Sequence, residues 1–234
     1  MKIVNLSVLI CQVLVLSLCA IALWLFAANF PFPSPLVKDF LPPKKRWPTA
    51  QVQQWVRNDT VPKGFLDFFS RDPERAIPSG QNVVAPSDGV VRNIIRKENW
   101  TYIDIALSFW DVHVQRSPVA GQVTAIRESG DQFMDGEYKN MVFLRDKHAP
   151  VQKVIDLSSA WGDVKMRLVT SLMARRIRVL VPVGEQVDKG QRIGRILLGS
   201  TVILQLPPDM PLAIQEGERV IAGETIISGK QVVP

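Results

Sequence analysis

Two pairs of glycine-centred half-motifs constrain the fold more than any other feature of this chain. Pro86-Ser87-Asp88-Gly89-Val90-Val91, followed by Ile94, has the same offsets as Pro118-Val119-Ala120-Gly121-Gln122-Val123, followed by Ile126. Gly184-Glu185-Gln186-Val187-Asp188-Lys189-Gly190-Gln191-Arg192-Ile193 likewise matches Gly217-Glu218-Arg219-Val220-Ile221-Ala222-Gly223-Glu224-Thr225-Ile226. Each unit is a turn leading into a short Val/Ile strand, and such a unit buries its apolar side against similar units. The expectation is a mainly β body, a barrel-sandwich built from related halves.

Turn residues and β-branched runs predict strands at 83–84, 90–95, 102–109, 112–114, 119–126, 153–157, 164–169, 177–183, 193–206 and 226–233. One helix candidate lies inside the body, at 168–176, and its β-branched neighbours argue against it. The 193–206 run contains Leu198-Gly199-Ser200-Thr201. A glycine inside an apolar strand marks a bulge or a close backbone approach. With a hydroxyl directly after it, the same pair also reads as a self-cleavage site.

The N-terminus is a different material. No charged residue occurs from Ile3 to Phe30, and about 20 helical residues suffice to cross a hydrocarbon core. Residues 1–30 are therefore expected to form one transmembrane anchor, in preference to a cleaved signal peptide, whose apolar region runs only about 7–15 residues. Lys38, Lys44, Lys45 and Arg46 follow it, against Lys2 before it, which puts the body on the cytoplasmic side of the cell (inner) membrane. Pro31, Pro33, Pro35, Pro42, Pro43 and Pro48 punctuate a connector over 31–64, with an interfacial segment as one reading of its aromatics. The β-rich domain then occupies 65–234.

The formal charge of +6 on 234 residues suits an anionic lipid surface. The basic residues are not interleaved with aromatics, so nucleic acid is not an expected partner. Cys11 and Cys19 both fall in the apolar run, leaving no disulfide framework for the body. Two histidines and no body cysteine argue against a metal site.

Among the polar residues, Asp111 and His113 stand two apart at the end of an apolar run. If a single strand continued from Tyr102, both would share its apolar face. A histidine beside a carboxylate is suited to general-base work near neutral pH. Asp88 is an ordinary turn former, yet its repeat counterpart is Ala120, so the turn does not require a carboxylate. His148, in Arg145-Asp146-Lys147-His148, reads as a solvated loop. The half-motifs also resemble those of biotinyl and lipoyl carriers and of membrane-anchored adaptors. In that reading Lys165-Met166 would need to sit on a tight hairpin between adjacent half-motifs. It lies instead in the long segment between Gly121 and Gly184, where the compact spacing of a carrier is lost.

Several further motifs occur in order: Arg71-Asp72-Pro73-Glu74-Arg75 with Ile77-Pro78; Pro86-Ser87-Asp88-Gly89; Asp111-Val112-His113-Val114-Gln115-Arg116-Ser117-Pro118-Val119-Ala120-Gly121; Ala174-Arg175-Arg176-Ile177; Gly190-Gln191-Arg192-Ile193-Gly194; and Leu198-Gly199-Ser200-Thr201. Together they resemble the phosphatidylserine decarboxylase family, in its short, membrane-anchored branch.

The resemblance implies a pyruvoyl enzyme made by serinolysis, converting phosphatidylserine to phosphatidylethanolamine and CO2. Carried over, the Asp-His-Ser roles fall to Asp88, His113 and Ser200. His113 would deprotonate Ser200, whose oxygen attacks the Gly199 carbonyl, leaving a pyruvoyl group derived from Ser200 on the new chain. No metal and no pyridoxal phosphate would be needed, and the two cleaved chains would stay associated. Asp111 is the alternative partner for His113. Arg116, Arg175 and Arg176 are candidate contacts for the substrate phosphate. Whether the chain forms a homo-oligomer is left open. The chain departs from the family in lacking a Glu-Asn-Glu-Arg segment, where it has Ala149-Pro150-Val151-Gln152-Lys153-Val154, and Ser70 separates Phe69 from Arg71.

Overall fold

The computed structural model describes residues 6–29, 54, 58, 60, 63, 70–108, 111–133, 139–145, 147–171, 176–197 and 201–229. Two compact units divide near residue 60. In the first, helix α1 spans Leu6–Asn29, with no acidic residue in its first turn and no basic residue in its last. Side chains are described at 7–8 and 10–22, all of them exposed, including Val8, Ile10, Val13, Leu14, Val15, Leu16, Leu18 and Ile21. Among the described residues no helix is long and apolar enough to cross a membrane. The expected spanning helix is thus reduced to an apolar helix of 24 residues with exposed aliphatic side chains.

The second unit is mainly β. Its strands are β1 (Asn82–Val84), β2 (Gly89–Lys97), β3 (Trp100–Ala106), β4 (Val114–Arg116), β5 (Gly121–Ser129), β6 (Gln152–Ser159), β7 (Gly162–Val169), β8 (Arg176–Val179), β9 (Gln186–Val187), β10 (Arg192–Leu197), β11 (Thr201–Leu206), β12 (Arg219–Val220) and β13 (Ile226–Gly229). Eight of them form a curled, half-barrel sheet in the order β12-β2-β3-β11-β7-β6-β5-β9. A three-stranded sheet, β4-β10-β8, and the pair β1-β13 complete the described β structure. The core includes Ile103, Ile105, Ile155, Leu157, Met166, Leu168, Ile193, Ile196 and Leu204, each fully buried. Burial of each such side chain contributes about 1.5–3 kcal/mol.

The repeat in the sequence is a repeat in the hydrogen bonding. Val91 N–H donates to Glu218 C=O, and Val123 N–H to Glu185 C=O, both at 2.9 Å. Gly217 N–H returns to Val91 C=O and Gly184 N–H to Val123 C=O. The two halves also exchange bonds with each other: Val84 N–H to Pro118 C=O at 2.9 Å, and Arg116 N–H to Pro86 C=O at 2.8 Å. The large sheet has the same symmetry, since β12-β2-β3-β11 mirrors β9-β5-β6-β7 in its order.

One expectation is corrected, and two readings that the sequence left open are decided. The run at 193–206 is not one strand: β10 ends at Leu197, β11 begins at Thr201, and they belong to different sheets. Of the helix candidate at 168–176, the described ends are strand, in β7 and β8, because Leu168, Val169 and Ile177 find ladder partners. Residues 172–175 lie outside the described residues. Nor does one strand carry Tyr102 through His113. β3 stops at Ala106, and Ser108 closes the following turn by donating its N–H and hydroxyl to Asp111 Oδ2 at 2.8 and 2.7 Å. Lys165 sits inside β7, over the Trp100 ring, so it is not the hairpin-tip lysine a carrier requires.

Candidate active site

Strand register fixes where the Gly199–Ser200 junction must attach. Both residues lie outside the described residues, but their flanking strands do not. On one side, Ile196 N–H donates to His113 C=O at 3.2 Å, and Arg195 pairs with Val114. On the other, Thr201 stands in a row with Ala106 and Val169, and Ala106 pairs in turn with Val90. Consecutive Cα atoms lie about 3.8 Å apart, so Ser200 is held within one residue of Thr201, which stands between Ala106 and Val169 in this row. Gly89, directly after Asp88, opens β2 against the same Ala106. Its φ of +149° is a conformation L residues rarely adopt, and a Cβ there would collide with the Ala106 carbonyl.

Asp88, Asp111 and His113 are all buried, at 5%, 1% and 0% exposure. Asp88 Oδ1 accepts from Ala222 N–H at 2.8 Å and from Arg75 Nη2 at 3.0 Å; Oδ2 accepts from Val112 N–H at 3.4 Å. Asp111 Oδ1 accepts from Arg219 Nη1 at 2.7 Å. Both carboxylates are thus fixed around the segment 111–113. Burial pushes the His113 pKa down to about 4, reinforced by the Arg71 and Arg195 charges; a hydrogen bond to the Asp111 backbone and the Asp111 charge oppose the fall. The imidazole is neutral at physiological pH, the state a general base requires. Asp111 is the carboxylate coupled directly to the ring, while Asp88 reaches the segment through the Val112 amide.

The role of Arg71-Asp72-Pro73-Glu74-Arg75 is visible only in three dimensions. It forms a strap of ionic contacts over the cluster. Arg75 pairs with Asp88, and both side chains are nearly buried. Asp72 accepts from Arg116 Nη2 at 3.1 Å and from Arg192 Nε at 2.5 Å, and Glu74 from Arg192 Nη2 at 2.8 Å. Burial lowers the Arg71 pKa, countered by the Asp88 and Asp111 charges. Sequence reasoning alone does not single out Arg75 and Arg219 as site residues. The motif around Arg75 is the available signal, but an ion pair across 13 residues has no local pattern.

The arginine expectations divide. Arg116 is corrected as a phosphate contact: it is buried, and its guanidinium is taken up by Gly190 C=O, Pro73 C=O and Asp72. Arg176 is exposed, pairs across the ladder with Leu197, and lines a cavity near the junction. Arg175 lies outside the described residues. His148 is exposed, as a loop histidine should be. Among the described residues no group of three His, Cys, Asp or Glu side chains is placed to hold a metal ion.

A half-barrel of paired β half-motifs, enclosing a buried histidine and two buried, hydrogen-bonded carboxylates, defines a β protein with a polar cluster inside its core. The chain belongs to the phosphatidylserine decarboxylase family, whose model matches residues 63–228. A phosphatidylserine decarboxylase proenzyme of Streptomyces coelicolor is 37% identical over 165 residues, which are 70% of this chain and 72% of that protein. One from Symbiobacterium thermophilum is 36% identical over 171 residues, 70% of this chain and 78% of its own. A Methanosarcina barkeri protein, provisionally named an archaetidylserine decarboxylase proenzyme, is 33% identical over 165 residues, 70% and 76% of the two chains.

Proposed function

We propose that this chain is a self-processing phosphatidylserine decarboxylase in which Ser200 becomes a pyruvoyl group. The observation that carries the reading is the convergence at 198–200: β10 arrives beside His113, and β11 departs from the row that borders Gly89. Family membership and the proenzyme names of the relatives support processing. No comparison favours a carrier or adaptor.

In this reading neutral His113 accepts the Ser200 hydroxyl proton, the serine oxygen attacks the Gly199 carbonyl, and the peptide C–N bond breaks as that proton passes to the Ser200 nitrogen, giving an ester and a free amine. Elimination then breaks the bond from the serine Cβ to that oxygen, leaving Gly199 with a free carboxylate. Hydrolysis of the dehydroalanine releases ammonia and leaves a ketone at the new N-terminus. The residues present fit that group, because a neutral buried base stands next to the strand that delivers it. The pyruvoyl ketone supplies an electron sink for the bond to CO2. His113, hydrogen-bonded to the Asp111 backbone, would carry a proton to the carbon left behind.

Cleavage would not release the smaller chain. β11 lies between β3 and β7 in the middle of the large sheet, and β12 and β13 pair with β2 and β1. The body would work at the inner membrane, on the cytoplasmic side, where the chain's formal charge of +6 suits an anionic lipid surface.

The test is product formation. Full-length protein with phosphatidylserine in mixed micelles should release CO2 and form phosphatidylethanolamine, and Ser200→Ala protein should not. Cleaved protein that releases no CO2 would overturn the reading.

A further inference from the structure

A cavity of about 550 Å³ opens beside the junction, and its walls include Gln152, Arg176, Arg178, Arg195 and Leu197. Its size is that of a small-molecule site. Leu197 is two residues from Gly199, and Arg195 is near enough to His113 to act on its charge. Val151, Gln152 and Lys153, also on the wall, belong to the segment where the chain departs from its family's pattern.

Strand β10 carries two arginines that face another arginine across a ladder. Like charges directly opposite are destabilising, and the first pair shows how the fold resolves this. Arg192 pairs with Arg116, and Asp72 bonds both, at 2.5 and 3.1 Å. The second pair is Arg195 with Arg178. Among the described residues, Arg195 reaches a neutral acceptor, the Ser70 carbonyl, at 3.4 Å. Among the described residues no carboxylate lies within ion-pair distance of either, nor of Arg176. Glu128, the acidic residue of the lining, pairs instead with Lys153, at 2.5 Å. This second pair lines the cavity, where a bound anion would supply the counter-charge that Asp72 gives the first.

We propose that this cavity is the headgroup subsite, in which Arg178 and Arg195 bind the phosphodiester of a serine phospholipid. This rests on the decarboxylase reading above. The phosphodiester is favoured over the serine carboxylate because the carboxylate loses its charge in the reaction. Arginines clamped on it would stabilise the ground state more than the transition state. A phosphodiester keeps its charge throughout, so binding it positions the headgroup without opposing chemistry.

The experiment titrates full-length, detergent-solubilised protein with glycerophosphoserine and, separately, with inorganic phosphate, by calorimetry. Wild type should bind glycerophosphoserine more tightly than phosphate, and Arg178→Gln should weaken it roughly 10-fold, the loss of one charge-assisted contact. Arg178→Gln should still yield the two chains of self-cleavage by mass, and should raise KM for phosphatidylserine with kcat little changed. Equal affinity for the two ligands would mark a free-phosphate site and overturn the proposal. So would unchanged glycerophosphoserine binding in Arg178→Gln. Because binding is read directly, the subsite fails or stands independently of whether CO2 is released.

Discussion

Ile196 N–H donates to the carbonyl of His113 at 3.2 Å, so the buried histidine is tied to the strand that runs into the Gly199–Ser200 junction. The base and the bond to be cut are thereby anchored to the same strand, β10. Serinolysis needs this, because a base acts only within hydrogen-bond reach of the proton it removes.

His113→Gln should therefore leave a folded, uncut chain. Loss of a general base slows such a step roughly 100- to 10,000-fold. The check is the fraction of full-length chain over time, by mass, after expression of wild type and variant. Cleavage at the wild-type rate would show that the base is another group.

Burial holds His113 at about 4, against 6.5 for an unperturbed histidine, so folding disfavours its protonated form. Between those values the unfolded chain binds the proton and the folded chain does not. Stability therefore falls as pH drops from about 6.5 to about 4, in total by on the order of 3 kcal/mol. In an uncut Ser200→Ala background, urea midpoints measured between about pH 7 and pH 5 should fall more with the histidine present than in the His113→Gln double variant. Parallel pH dependence in the two would contradict the assignment.

Arg75→Gln would leave the Asp88 carboxylate buried without its cation. Breaking a buried pair on one side costs about 3–5 kcal/mol, and self-cleavage should slow with it. Arg75→Lys should restore part of both. Denaturation midpoints and processing time courses on the three proteins make the comparison.

Gly89→Ala should be among the most damaging single methyl additions in the body. The added Cβ meets the Ala106 carbonyl at a backbone conformation disfavoured for L residues. The expected loss is about 3 kcal/mol, from strain and overpacking together. Thermal midpoints would measure it.

How much of this is legible in the sequence follows from the range of the forces involved. The half-motif repeat announces itself because turns and strand alternation are local, and its two halves pair as their offsets demand. Asp88, Asp111 and His113 stand out because their residue types are conspicuous among apolar neighbours. No strand continues from Tyr102 to His113, although both polar residues are buried, since Ser108 and Asp111 form a turn that alternation cannot reveal. The break within 193–206 is hidden because both halves are apolar and each finds a different sheet. Arg116 looks like a free cation in the sequence, and only the Asp72 contact from 44 residues away shows that it is spent on the fold.

Self-cleavage changes covalent structure, and intact mass spectrometry of the purified full-length chain reads that change. Two chains are expected, residues 1–199 and 200–234, the smaller with a ketone in place of its N-terminal amine, and a single uncut chain from Ser200→Ala. A wild-type protein that persists at full mass, or a Ser200→Ala protein that still divides there, would contradict it.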